Sequence, residues 1–231
     1  MCGRYLSLSS PDDLAERFQV AEVRLERSEP RYNVAPSTGV PAVIDHQGER
    51  RLGELRWGFV PRWAKQLKGS PRPINARVES VATNRMFSTS FKRHRCILPA
   101  DGFYEWLDRG KGRAKQPFHI AAPDGQPLAF AGIWSVWRDP EDEDAPPLST
   151  AAIITTAAQG EMERIHHRMP VILPETLWAD WLAADEDQAP HLAETVTALG
   201  APRLIATEIS DRVNSVRNDG PELIEPGTVD D

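Results

Sequence analysis

The chain has 231 residues, 40% of them hydrophobic, and a formal net charge of −7 at pH 7. This is enough for one packed domain. No stretch is apolar for long enough to span a bilayer or to serve as a secretory signal, so we expect a cytoplasmic protein. Two cysteines and six histidines, without CxxC or HExxH spacing, exclude a disulfide framework and predict no metal and no cofactor.

The positive charges are concentrated in the first half of the chain. Residues 1–115 carry a net charge of +8 and residues 116–231 carry −15. The most basic segment, residues 50–95, contains twelve Lys and Arg residues against Glu54 and Glu79. Such a segment is typical of a surface that binds nucleic-acid phosphates, and also of a solvated protein face. Interleaved aromatic residues would stack on exposed bases or pack in the core; they are Trp57, Phe59, Trp63 and Phe87.

The first predicted element is a short helix that begins after Ser10. Ser10 can cap this helix, Pro11 suits its first position, and Asp12 and Asp13 favour its positive end. Strand-like runs with turn signals between them then indicate antiparallel hairpins; they cover residues 40–44, 52–60, 96–99, 117–121, 128–136, 151–156 and 171–173. Helices are predicted near residues 177–182 and 191–199. We expect one domain over residues 1–226 and a disordered tail at 227–231.

The most informative residue is Cys2, in the opening sequence MCGRY. Removal of Met1 would leave Cys2 with a free α-amine beside its thiol. An aldehyde captured by the amine as a Schiff base can then be closed by the sulfur into a five-membered thiazolidine. The reference pKa values, about 7.7–8 for an α-amine and about 8.5 for a thiol, suit this chemistry near neutral pH. The alternative is that a small second residue serves only the removal of Met1.

Two further segments have polar residues in patterns that suit a site. In PINARVE, residues 73–79, an extended chain would project Asn75, Arg77 and Glu79 from one face, and an amide beside a guanidinium suits a phosphate and its sugar. In DGFYEW, residues 101–106, Glu105 lies among aromatic residues, and burial of that kind favours the protonated form of a carboxyl group. Glu105 is therefore the best acid/base candidate, with an arginine-paired carboxylate as the alternative.

The segment IHHRMP, residues 165–170, offers two imidazoles and a guanidinium. Neighbouring residues of an extended chain point to opposite sides, so only one of His166 and His167 can face a given pocket, and spacing does not say which. A pair of surface histidines would give the same pattern. The segment RYNVAP, residues 31–36, could shape a pocket wall or close a loop.

Taken together, these motifs resemble the SOS response-associated peptidase (SRAP) family, whose members process abasic sites in DNA. The resemblance runs nearly end to end, through MCGRY, RYNVAP, WGFVP, INARVES, ADGFYEW, IHHRMPVIL and VNSVRNDG. It implies a single α+β domain of mainly antiparallel strands, in a barrel-like or two-sheet core with flanking helices. It also implies a monomer, without metal or cofactor, that binds single-stranded DNA containing abasic sites. Cys2 would be linked covalently to the ring-opened aldehyde.

The resemblance assigns roles to individual residues. Cys2 is the nucleophile, and Asn75 would hold the α-amine or a sugar hydroxyl. Glu105 would move protons during ring opening and at the imine. His166 would assist at the sugar or phosphate, because the family's histidine directly follows an isoleucine. The DNA-binding residues implied in the same way are Arg4, Asn33, Trp63, Arg77, Arg85, Trp106 and Arg168. Some relatives have two adjacent aromatic residues where this chain has Arg62 and Trp63.

Two other functions are compatible with the sequence. A thiol at the N-terminus with a histidine nearby is also typical of an autoprocessing cysteine peptidase, whose only cleavage could be the loss of Met1. A non-catalytic single-stranded DNA-binding module would bind intact and abasic DNA alike and form no covalent species.

Overall fold

A computed structural model describes residues 2–25, 29–183 and 185–229, and over these residues the chain forms thirteen β-strands and five α-helices. The strands are β1 (Tyr5–Ser7), β2 (Glu22–Val23), β3 (Arg31–Val34), β4 (Gly39–His46), β5 (Glu49–Trp57), β6 (Asn75–Arg77), β7 (Arg95–Ala100), β8 (Gly102–Leu107), β9 (Gln116–Ala121), β10 (Leu128–Trp137), β11 (Leu148–Ala157), β12 (Arg168–Pro170) and β13 (Ile205–Glu208). The helices are α1 (Pro11–Arg17), α2 (Val78–Val81), α3 (Ser88–Arg93), α4 (Trp178–Ala183) and α5 (Ala189–Thr197).

The strands form two sheets. The first has the order β13-β9-β8-β1-β3, with antiparallel pairing throughout. The second has the order β12-β11-β10-β7-β4-β5-β2, and β6 pairs with β11 in parallel. A parallel contact of Thr150 and Ala151 with Arg56 and Trp57 joins β11 back to β5, which closes β4, β5, β7, β10 and β11 into a ring. The predicted single-domain α+β fold, with mainly antiparallel strands in a barrel-like core, is confirmed.

The core between the two sheets holds the N-terminal strand in place. Tyr5 of β1 packs on Trp57 of β5 with ring centroids 5.2 Å apart, and Phe103 of β8 packs on Phe130 of β10 at 5.7 Å. All four side chains are buried. Because complete burial of a large apolar side chain stabilises the fold by about 1.5–3 kcal/mol, this cluster fixes β1 and β8 firmly against the second sheet.

A second core lies between the other face of the larger sheet and the helices. Helix α1 begins as predicted, since the hydroxyl of Ser10 accepts the backbone N–H of Asp13 and the Asp13 carboxylate accepts the N–H of Ser10. Phe18, just after this helix, packs on Trp178 of α4 with ring centroids 4.6 Å apart. The helices therefore cover the sheet on the side away from β1 and β8.

The strand predicted over residues 52–60 ends at Trp57. Gly58 has a φ of +133°, a conformation that favours glycine, and the chain turns there. The backbone N–H of Val60 then donates to the hydroxyl of Thr150 at 2.9 Å. Similarly, the strand predicted at 171–173 occurs three residues earlier, as β12.

The first residues of the predicted tail form hydrogen bonds with the first sheet. The N–H of Gly227 donates to the carbonyl of Glu208 at 3.0 Å, and the N–H of Val229 donates to Oε1 of Gln116 at 3.0 Å. Residues 227–229 are thus attached to the first sheet, and residues 230–231 lie outside the described part of the chain.

Candidate functional site

Cys2 lies at the entrance to β1 and its side chain is completely buried in the core between the sheets. The segment before β1 continues alongside β8, because the N–H of Tyr104 donates to the carbonyl of Arg4 at 3.0 Å. Burial raises the pKa of the Cys2 thiol well above its ordinary value, the negative charge of Glu105 raises it further, and a hydrogen bond with the backbone of Arg4 acts in the opposite direction. The thiol is therefore protonated near neutral pH.

Asn75 contacts the backbone of Cys2 directly. Its Nδ2 donates to the Cys2 carbonyl oxygen at 2.9 Å. Its own position is fixed by β6, which pairs with β11 and whose preceding carbonyl, on Ile74, accepts the indole N–H of Trp57 at 2.9 Å. The Oδ1 of Asn75 is buried and has no hydrogen-bond donor within the described ranges. This oxygen is available to accept an N–H or O–H from a bound molecule.

Glu105 is the acidic group of the same pocket. It lies on β8 opposite Phe118 and is only 2% exposed. Side chains two residues apart on a strand share a face, so Glu105 points, like Phe103, between the two sheets. Its charge raises the pKa of the Cys2 thiol, and both side chains are buried. The fold thus brings together Cys2, Asn75 and Glu105.

His166 lies just before β12, on the opposite edge of β11 from β6. Its Nδ1 is 3.0 Å from both the backbone nitrogen and the carbonyl oxygen of Arg168. The backbone N–H can only donate, so Nδ1 is the acceptor and a neutral His166 carries its proton on Nε2. His167 is exposed beside it, with ring centroids 4.3 Å apart, and the adjacent His166 lowers the pKa of His167.

Arg168 was expected to bind phosphate, but it is buried and its guanidinium is occupied by protein groups. Two parallel hydrogen bonds of 2.5 and 2.9 Å join it to the carboxylate of Glu79, and Nη2 also donates to the carbonyl of Thr155 at 2.6 Å. These contacts lower the pKa of the Glu79 carboxyl. Glu79 belongs to α2 and not to the extended strand that the sequence predicted. The pair ties β12 to the end of β6.

Arg4 and Asn33, also expected at the DNA, form hydrogen bonds with a segment near the C-terminus. Nη1 of Arg4 donates to Oδ1 of Asn33 at 2.8 Å and to the carbonyl of Val213 at 2.9 Å. Nδ2 of Asn33, which is buried, donates to the carbonyls of Ser215 at 3.0 Å and Asn218 at 2.9 Å. No local sequence pattern indicates this contact, because its two sides are about 180 residues apart.

Two adjoining depressions form a basic groove that begins at Asn75. One is lined by Pro71, Arg72, Pro73, Asn75, Arg77, Ser80, Asn84, Met86 and Phe87, and the other by Trp63, Asn84, Arg85, Met86 and Ser88. Arg72, Arg77 and Arg85 are all exposed. Arg72 was not singled out from the sequence, although its place between two prolines, at 71 and 73, could have marked it as a rigidly held cation.

The four aromatic residues of the basic segment have different environments. Trp63 is 65% exposed in the groove, whereas Trp57, Phe59 and Phe87 are buried and cannot stack on bases. Part of the positive charge is likewise used internally. Arg95 is buried and donates to three backbone carbonyls, and Arg51 is paired with Glu22 at 2.7 Å. The exposed basic surface is therefore smaller than the charge count predicted.

Trp106, the remaining predicted DNA contact, is half-buried on the opposite face of β8 from Glu105. Its indole N–H donates to Oδ1 of Asn214 at 2.8 Å. Among the residues that the structure describes, no cluster of three His, Cys, Asp or Glu side chains could hold a metal ion, and no helix is long and apolar enough to cross a membrane.

The chain is similar in sequence to several abasic site processing proteins. YoqW of Bacillus subtilis is 39% identical over 226 residues, which cover 97% of this chain and 99% of that protein. YedK of Escherichia coli is 34% identical over 236 residues, covering 98% and 100% of the two chains. HMCES of Gallus gallus is 32% identical over 251 residues, covering 93% of this chain and 71% of HMCES.

Solved structures share the fold. A protein from Bacteroides thetaiotaomicron has a TM-score of 0.83 at 22% identity, covering 98% of this chain and all of that one. A phage-related protein from Bordetella bronchiseptica has a TM-score of 0.69 at 30% identity, covering 90% of this chain and 94% of that one. A family model described as "SOS response associated peptidase (SRAP)" matches residues 1–216. This chain belongs to the SRAP family.

Proposed function

We propose that this protein processes abasic sites in single-stranded DNA by joining Cys2 to the aldehyde of the ring-opened sugar. The observation that carries the proposal is the hydrogen bond from Asn75, which lines the basic groove, to the backbone of Cys2, whose thiol is buried between the same two sheets as Glu105. The names of the similar proteins from Bacillus subtilis and Escherichia coli, which describe abasic site processing, support the choice of substrate.

The reaction needs the α-amine of Cys2, so it follows removal of Met1. The amine adds to the aldehyde carbon and water leaves, which gives an imine. The thiol sulfur then bonds to the imine carbon while the S–H proton is transferred to the imine nitrogen, which closes a thiazolidine. Overall, one aldehyde and one N-terminal cysteine combine and one water is released. No oxidant, reductant or cofactor enters.

Glu105 is the group that moves the protons. A thiol with a raised pKa is a weak nucleophile until a base accepts its proton, and the Glu105 carboxylate is the charged neighbour of this thiol. The same group, once protonated, can donate to the ring oxygen of the closed sugar and release the aldehyde. A positioned acid or base of this kind accelerates a reaction by about 10²–10⁴-fold.

Binding along the groove would place the lesion at Cys2. Arg72, Arg77 and Arg85 supply charge for the phosphates, and the exposed ring of Trp63 offers a stacking surface for a base. Stacking requires unpaired bases, which favours a single strand. Asn75 joins the two regions because it lines the groove and contacts Cys2.

Denaturing gel electrophoresis tests the proposal. The chain without Met1 is incubated with a single-stranded oligonucleotide containing one abasic site, or with the undamaged sequence. We expect a slowly migrating DNA–protein species only with the abasic strand, and none with Cys2→Ala, which should still bind DNA non-covalently. An adduct of the Cys2→Ala chain, or none with the unaltered chain, would contradict the proposal and leave a simple DNA-binding module.

Salt dependence tests the groove separately. Each phosphate neutralised on a single strand contributes a slope of about −0.7 to the plot of log affinity against log salt concentration. We expect Arg77→Gln and Arg85→Gln each to remove about one such contribution, and a flat salt response would exclude the groove as the DNA-binding surface.

The family name also describes a peptidase. Because Cys2 is buried, the form of peptidase activity that fits the structure is self-processing. In self-processing, the thiol of the chain removes its own Met1. It predicts that Met1 is retained in a Cys2→Ala chain produced without a methionine aminopeptidase and lost in the unaltered chain produced in the same way.

A further inference from the structure

Residues 213–219, which we name the C-terminal loop, are anchored to both strands that carry the candidate site. On the β1 side, Arg4 donates to the carbonyls of Val213 and Asn214, at 2.9 and 3.3 Å. On the β8 side, the indole N–H of Trp106 donates to the side-chain oxygen of Asn214 at 2.8 Å. The loop is thus attached two residues from Cys2 and one residue from Glu105.

The far end of the loop is attached just as closely to β3. The carboxylate of Asp219 accepts the backbone N–H groups of Tyr32 and Asn33, and the Asn33 amide donates to loop carbonyls. An exposed loop held by a carboxylate, an amide and a guanidinium has a defined shape. Between Val213 and Asn218, residues 214–217 are exposed.

The exposed part of the loop has the composition of a nucleic-acid contact. Nε1 is the only polar atom of the Trp106 ring and is bonded to Asn214, while part of the ring packs against the core cluster of Leu6 and Tyr104 and the remainder is exposed to a base that could stack on it. Arg217 is exposed three residues further along the loop and forms no ion pair with any residue that the structure describes. A partly exposed aromatic ring bonded to a loop that carries an exposed cation supplies both groups that bind a base and its phosphate.

We propose that the C-terminal loop is a second DNA-binding element. Asn214 is a positioning residue that orients the Trp106 ring beneath the base next to the lesion, and Arg217 binds the phosphate of that nucleotide. The inference rests on the proposed function, because it places the abasic sugar at Cys2. In this account Arg4 and Asn33 serve DNA binding through the loop and do not touch DNA themselves.

Single-turnover crosslinking, measured against DNA concentration, separates affinity from chemistry. We expect Asn214→Ala to raise the half-saturating DNA concentration by roughly two- to tenfold, the effect of one hydrogen bond, with little change in the maximal rate. Arg217→Gln should raise the same concentration and reduce the salt slope by about 0.7. Arg24→Gln is the matched control, since Arg24 is an exposed arginine paired with Glu22 on the edge strand β2.

Two comparisons separate positioning from a merely structural role. In a Trp106→Phe background, Asn214→Ala should have no further effect, because phenylalanine has no N–H to orient. On oligonucleotides whose neighbouring nucleotide is a stable base-less tetrahydrofuran, tested on the 5′ and 3′ sides separately, the effect of Asn214→Ala should disappear for one side. The inference would be overturned if Asn214→Ala weakened binding of both base-less substrates. It would also be overturned if neither loop variant weakened DNA binding.

The same series distinguishes the two proposals. If the unaltered chain forms no adduct at all, the proposed function fails, while non-covalent binding of the tetrahydrofuran oligonucleotides still tests the loop. If the unaltered chain forms the adduct and both loop variants match the Arg24→Gln control, only the loop inference fails. Thermal unfolding should be unchanged in Arg217→Gln, whose side chain is exposed, and lowered in Asn214→Ala by no more than the contribution of its one hydrogen bond to Trp106.

Discussion

The side-chain amide of Asn75 donates a 2.9 Å hydrogen bond to the carbonyl oxygen of Cys2, across 73 residues of sequence. This contact joins the start of the chain to β6 and therefore to the larger sheet, while β1 belongs to the smaller one. The candidate nucleophile is thus held by both sheets. Its backbone position is fixed before any substrate arrives, which reduces the entropy lost in reaching the reactive geometry.

We predict that Asn75→Ala slows crosslinking about tenfold, because the Cys2 backbone loses its anchor and the pocket loses one polar contact. Asn84→Ala is the matched control, since Asn84 is an exposed asparagine that lines the same groove. Single-turnover rates of the two variants give the comparison. Equal rates in both would show that the contact with Cys2 does not matter for the reaction.

Glu105→Gln keeps the shape of the side chain but removes its ability to exchange a proton. We expect the rate of adduct formation to fall by about 10²–10⁴-fold. Affinity for an oligonucleotide with a tetrahydrofuran analogue of the abasic site, which cannot react, should change by less than about threefold. If rate and affinity fall by the same factor, Glu105 is a structural carboxylate and the proton transfers belong to another group.

The pairing of Arg168 with Glu79 predicts a pH-dependent contribution to stability. Glu79→Gln leaves a buried guanidinium without its counter-charge and should lower the free energy of unfolding by about 2 kcal/mol at pH 7. Arg168 lowers the pKa of Glu79, so the stabilisation is present above the unfolded-state pKa of about 4.3 and is lost as the pH falls through the lower folded-state value. Urea unfolding of both chains at several pH values measures the difference.

The same pair gives a test of the expected phosphate contact. If the guanidinium of Arg168 is used within the protein, Arg168→Lys should destabilise the fold and leave the salt slope of DNA binding unchanged. If the salt slope of Arg168→Lys were instead reduced by about 0.7, as expected for Arg77→Gln, Arg168 would be a phosphate contact.

His119 predicts a second pH effect, away from the pocket. Burial lowers the pKa of His119 to about 4, and its Nε2 is buried with no hydrogen-bond partner among the described residues. The unfolded chain binds this proton near pH 6.5, so stability is complete above about pH 6.5 and is lost progressively as the pH falls towards 4, by up to about 3 kcal/mol. His119→Gln should flatten that part of the stability profile. A profile with the same slope in both chains would contradict the assignment.

The sequence points to candidate reactive residues more readily than to the residues that support them. Cys2 and Glu105 are singled out by a terminal position and by aromatic neighbours, both visible locally. Arg168 is paired with Glu79 across 89 residues, and Arg4 and Asn33 contact the C-terminal loop across 180 to 210 residues, and no local pattern indicates such contacts.

The basic segment illustrates a second limit. Along β5, Leu55 and Trp57 are buried while Arg56 between them is exposed. This alternation is the usual pattern of a half-buried strand, so the same residues that suggested base stacking also carried the signal for core packing. The burial of these side chains distinguishes core packing from base stacking. That burial depends on the second sheet and on the helices that cover the strand, which a local pattern does not reveal.

Intact-mass spectrometry tests the central claim most directly. The chain, confirmed to lack Met1, is incubated with a single-stranded oligonucleotide carrying one abasic site, with and without borohydride. We predict an adduct equal to the sum of the two masses less one water, formed without reductant, unchanged in mass when borohydride is added afterwards, and mapped to Cys2. An adduct that appears only with borohydride present from the start, or one mapped to another residue, would contradict thiazolidine formation at the N-terminus.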